Sequence, residues 1–123
     1  MGFKYRDTVV VTVPLLNATD GTIFICDRGY KLLSYEVVYA AAAGAALTLD
    51  LKKCTGTTAP ASGTSMLSGT VNLNSTINTV ISAGLSTTAA NLRLADGDRL
   101  CHDFSSTIGS LAGAVAVAVL RPV

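Results

Sequence analysis

Hydrophobic and polar positions alternate with a period of two along most of this chain, a pattern that predicts β-strands rather than helices. In TVVVTV, residues 8–13, Val9, Val11 and Val13 share a face, and Pro14 closes the run. Residues 17–21 have turn composition and lead into a short strand at 22–26, with a second turn at Asp27-Arg28-Gly29. KLLSYEVVY sets Leu33, Tyr35, Val37 and Tyr39 against Ser34 and Glu36. ALTLDLKK is clearer still: Leu47, Leu49 and Leu51 point inward while Thr48, Asp50 and Lys52 point out. The alanine-rich stretch between these two strands contains Gly44 and is too short to hold a helix, which predicts a tight connection.

Further along, residues 54–66 (CTGTTAPASGTSM) read as a long Ser/Thr/Gly/Pro-rich loop with little apolar anchoring, expected to be mobile or ordered only against a partner. For residues 76–85 the placement of Ile77, Val80 and Ile81 suits a helical face, but the β-branched content opposes it; a short helical or irregular crossover is expected. Asp96-Gly97 is a turn that launches a strand at 99–104. In the closing AGAVAVAVLRPV, Val115, Val117 and Val119 oppose Ala114, Ala116 and Ala118. Both faces are apolar, so this strand is expected to be central and buried, or stacked between a sheet and a neighbouring subunit. About seven or eight short strands joined by Gly/Ser/Thr loops predict an all-β protein, a single antiparallel β-sandwich of jelly-roll-like type spanning residues 8–123 behind a short arm at 1–7.

Composition narrows the function. The 123 residues suffice for one domain with its own core, yet only 14% are charged. That leaves a surface covered by copies of the chain or another assembly, or a neutral threonine-rich β surface. Net charge is +1, and Lys52-Lys53 is the only basic pair in sequence, which argues against nucleic-acid binding. The N-terminus does not read as a secretory leader, and the apolar stretches at 37–47 and 111–120 are too short to span a bilayer. Three cysteines without a CxxC pattern favour reduced, buried thiols in a soluble protein made in the cytoplasm.

The one histidine, His102, lies between Cys101 and Asp103 and invites metal or nucleophilic chemistry. On a regular strand, however, Cys101 and His102 point to opposite faces and cannot share a metal, and zinc would need distant ligands. No base–nucleophile–orienter set surrounds the histidine. The expected role is a histidine packed near an apolar face with one hydrogen bond, a subunit contact being the second reading. Asp96, Asp98 and Asp103 lack the ligand spacing of a calcium loop, Glu36 and Asp50 are ordinary outward positions, and no glycine-rich phosphate loop is present. Asn17-Ala18-Thr19 and Asn74-Ser75-Thr76 match glycosylation sequons, which mean little without export.

LRLADGDRLCHDFSSTIGSLAGAVAVAVLRPV, through Ala95, Gly97 to Leu100, Asp103, Phe104, Leu111, Gly113 and Val115 to Pro122, resembles small β-sandwich structural proteins of tailed bacteriophages. These are capsid cement or decoration subunits, and the KLLSYEVVYA strand fits the same course. The resemblance implies a homotrimer on the outer surface of an icosahedral head, locking neighbouring major capsid proteins after synthesis in the host cytoplasm. It implies no enzyme activity, no cofactor, no metal, no nucleic acid and no membrane. Candidate interface residues are Phe3, Tyr5 and Arg6 of the arm, whose types suit interface cores, together with His102; the loop at 54–66 comes second. The alternative is a carbohydrate- or receptor-binding module of a phage fibre or spike, although the chain has no Trp and most of its tyrosines fall in or beside strands.

Overall fold

The computed structural model describes residues 8–16 and 19–123. The arm carrying Phe3, Tyr5 and Arg6, and Asn17 with its sequon, therefore lie outside the described residues. Two antiparallel sheets pack face to face. The first contains β1 (Val9–Pro14), β10 (Val115–Pro122), β3 (Tyr30–Val38) and β7 (Ile81–Ser82) in that order, with β8 (Arg93–Leu94) also pairing β3. The second runs β2 (Gly21–Ile25), β9 (Arg99–Phe104), β4 (Thr48–Cys54) and β5 (Thr64–Ser65), with β6 (Val71–Asn72) also pairing β4.

Both β5/β6 and β7/β8 are two halves of a broken edge strand. Counted so, the first strand lies beside the last in one sheet, and the second beside the last but one in the other. This is the wrapping of a jelly roll, as the alternation predicts.

Alternation fixes the register. Leu47, Leu49 and Leu51 are all buried, as expected, and β9 spans residues 99–104 as expected. In β10 the alanines face the core and the valines face out: Ala116 pairs Val37 and Ala118 pairs Tyr35, all four almost fully buried. A tyrosine directly opposite leaves room for no more than a methyl group on the neighbouring strand.

β3 departs from the expected phase. Tyr35, Val37 and Tyr39 point inward as read, but Leu33 is 38% exposed and Leu32 is buried in its place. The cause is a bulge: Val119 pairs Ser34, whereas the next residue, Leu120, pairs Leu32, so Leu33 is left over and turned to solvent.

Two other segments differ from expectation. Residues 54–66 are held in place: the Arg99 guanidinium donates to the carbonyls of Gly56 (3.1 Å) and Thr58 (2.6 Å), and β5 joins β4. Residues 76–85 form an irregular crossover with Asn78 in the left-handed region (φ 53°) and the two-residue β7, not a helix. β2 begins and ends one residue earlier than read.

Enlarging a core alanine should therefore be costly, while altering an outward valine should not. Ala118→Leu is expected to lower the urea unfolding free energy by about 1–3 kcal/mol, and Val119→Thr to change that of the monomer by less than about 0.5 kcal/mol.

Candidate functional site

The turn before β9 is built by its own residues. Gly97 takes φ 88°, Asp98 Oδ2 accepts from the Ala95 amide at 2.8 Å, and Gly97 and Asp98 bond the backbone of Cys26. Strand β9 then separates the two suspected reactive groups. Cys101 turns to the outer side, where its sulfur meets the Thr22 hydroxyl and the Arg99 guanidinium, while His102 faces the core.

His102 is 3% exposed, and its Nε2 lies 2.7 Å from the Tyr35 hydroxyl of the opposite sheet. The imidazole packs edge-on to Tyr35 and to Phe104. Tyr35 Oη and His102 Nε2 share this hydrogen bond, its direction set by the imidazole tautomer. Burial pushes the His102 pKa down to about 4 and holds the ring neutral, and burial likewise raises the Tyr35 phenol. As a subunit contact, His102 offers only its opening into a cleft of about 240 Å3 between β1 and β2, walled by Val13, Leu15, Leu16, Ile23 and Phe104.

The thiols are not disposed for chemistry. Cys26, Cys54 and Cys101 are free and buried, as the sequence suggests. Desolvation, reinforced by Asp98, Asp27 and Asp96, raises Cys26 to about 11. Desolvation and the neighbouring Cys101 raise Cys54 to about 11. Both stay protonated at neutral pH and are poor nucleophiles. Among the described residues, no three His, Cys, Asp or Glu side chains are grouped to hold a metal ion.

What distinguishes the molecule is the contrast between its two outer faces. Outside the β2–β9–β4 sheet, Lys52 lies 3.8 Å from Asp50 and 3.5 Å from Asp103, and Ser65 donates to Asp50 at 2.8 Å. Burial, then the nearby Asp20, raises the Asp103 carboxyl, with Lys52 opposing. Outside the β1–β10–β3 sheet, the register lines up Val10 with Val119, Thr12 with Val117 and Pro14 with Val115. Val38 pairs Val115 on the far side, and Val80 closes an apolar dip of about 110 Å3 beside them. Val10 and Val80 are each 59% exposed, and Glu36, bonded to Ser82, is the one carboxylate among the described residues in this central part of the face.

At one end of that same face the register assembles what the sequence keeps apart: Arg121 pairs Lys31, and Lys31 pairs Arg93. Nothing local foretells this row, because its members are contributed by three distant strands. Comparison with protein-family models, curated proteins and solved structures finds no match for this chain.

The neutral histidine has a pH consequence. Above about pH 6.5 the ring is uncharged in both the folded and unfolded states, and it costs nothing. As pH falls from 6.5 towards 4 the unfolded chain takes up a proton that the folded one refuses, so stability drops, and below about 4 the loss levels off. Urea titrations of the wild type at pH 7 and pH 4.5 should differ by about 2.5 kcal/mol more than those of His102→Gln. An equal pH difference in the two proteins would contradict the assignment. At pH 7, Tyr35→Phe should cost about 1–3 kcal/mol, by leaving the buried Nε2 without its hydrogen-bond partner.

Proposed function

We propose that this chain is a structural virion protein, a capsid cement or decoration subunit that binds the outside of an icosahedral head as a trimer and stabilises contacts between major capsid proteins. The observation that carries the reading is the outward valine face. In an antiparallel sheet with one wet side, outward positions are polar. Here Val10, Val115, Val117 and Val119 take those positions on two adjacent strands. Four strands at ~4.8 Å spacing by about eight residues at ~3.3 Å give the whole outer face roughly 500 Å2 before side-chain relief, with the valine zone as its central part. Specific interfaces begin near ~600 Å2 per partner, so the face is of the right order.

Its occupant is another copy of this chain. The zone of Val10, Val115, Val117 and Val119 matches another such apolar surface best, and the other outer face of this molecule carries Asp50, Lys52 and Asp103. β1 is also a sheet edge with no charge between Val9 and Pro14 to discourage a neighbour. Multivalent attachment follows from self-association, since a trimer holds several shell subunits through individually modest contacts. The jelly-roll fold alone does not favour this over a sugar- or receptor-binding role. Among the described tyrosines, however, Tyr30, Tyr35 and Tyr39 are all buried and provide no exposed platform for a sugar.

Purified protein should be trimeric by light scattering and should decorate decoration-free heads at threefold-related positions in electron micrographs. Val117→Lys should yield a folded monomer with weakened head binding. A wild-type monomer at micromolar concentration, or glycan binding with bare heads, would sink the proposal.

A further inference from the structure

Seven of the nine lysines and arginines fall within the described residues. Four of the seven are engaged. Lys52 lies between Asp50 and Asp103, Arg28 lies 3.8 Å from Asp27, Lys53 donates to the carbonyls of Ala90 and Arg93, and Arg99 donates to those of Gly56 and Thr58. The side chains of the other three, Lys31, Arg93 and Arg121, make no ion pair or hydrogen bond among the described residues. All three stand in one cross-strand row, Arg121 opposite Lys31 and Lys31 opposite Arg93.

Like charges directly opposite on neighbouring strands repel, and a fold gains nothing by collecting its unpartnered cations in one place. The placement is deliberate in register as well. Leu120 and Leu32 behind the row, and Tyr30 and Leu94 beyond it, are buried, which turns all three cations to the same outer side. The bulge in β3 brings Leu33 out to solvent two residues from Lys31.

We propose that this row is a docking site for an acidic protein surface, one presenting clustered carboxylates beside an apolar side chain. The cationic residues recur at the strand spacing of ~4.8 Å, close to the ~5–6 Å between the Cβ atoms of acidic residues at i and i+4 on a helix. Three cations in a chain of net charge +1 are too few to hold a nucleic acid, and among the described residues no exposed aromatic side chain flanks them for base stacking. Within the decoration reading, on which this assignment rests for its biological partner, the row is the contact with the shell. The valine face beside it serves contact between copies.

The test compares wild type with the triple variant Lys31→Gln/Arg93→Gln/Arg121→Gln, whose fold is checked by its thermal melt. Each is titrated against decoration-free heads, a decaglutamate peptide and a short DNA duplex, at low and physiological salt. The wild type should bind heads and peptide with salt-sensitive affinity, and the variant should bind both about tenfold or more weakly, with a flatter salt dependence. Equal head binding by the two proteins would overturn the inference while leaving a decoration role intact. Failure of the wild type on heads, with peptide binding that the variant loses, would overturn the decoration role while supporting the row. Tighter binding to DNA than to the peptide, or binding to none of the three probes, would overturn the inference.

Discussion

The hydrogen bond between Tyr35 and His102 ties one sheet to the other, and much of the rest is arranged around it. Tyr35 reaches from β3 across the core to the imidazole on β9 at 2.7 Å. A ring of that size requires small neighbours, and β10 provides Ala116 and Ala118 on its inner side. Buried polar groups are tolerated only when satisfied, so the pair also selects one packing of the two sheets over shifted alternatives. With inner positions given to alanine, the bulk that makes β10 a strong strand former falls on its outer positions as valine. The apolar outer face is thus linked to the core through a single strand whose two sides have different tasks.

What could be read from the sequence follows from how local each feature is. Leu47, Leu49 and Leu51 declare their face within five residues, and Asp96-Gly97 declares the turn that sets β9. The opposite orientations of Cys101 and His102 follow from the same periodicity. The bulge is invisible because Leu32 and Leu33 are both leucine, and only the pairing with β10 decides which one is buried. Strands β5 to β8 are two residues each, too short to show any period. Residues 54–66 look unanchored because their anchor, Arg99, lies about forty positions away in sequence.

The cationic row is the extreme case of such non-locality. Lys31, Arg93 and Arg121 are scattered in sequence, where the only adjacent basic pair is Lys52-Lys53. In the fold that pair is split: Lys52 turns to two aspartates and Lys53 to the carbonyls of Ala90 and Arg93. Adjacent residues of a strand must point to opposite faces, so a basic doublet in a β-protein disperses its charge. Concentration of charge comes instead from pairing register, which no local pattern encodes. Lys53 contributes to it indirectly, since its ammonium fixes the backbone at Arg93 and so holds one end of the row.

These constraints explain why the two outer faces diverge. On the β2–β9–β4 side, cations are neutralised within the molecule, by carboxylates for Lys52 and by loop carbonyls for Arg99, and the 55–63 loop packs on the Cys54 thiol. That face is complete as it stands. On the β1–β10–β3 side, the apolar and cationic groups are left without partners among the described residues, and they lie in separate zones instead of being interspersed. Interspersed charges would keep such a face soluble and inert, whereas zoning creates two surfaces of different chemistry. An apolar zone next to an unpaired cationic zone is suited to two kinds of contact at once, one with its own kind and one with an acidic neighbour.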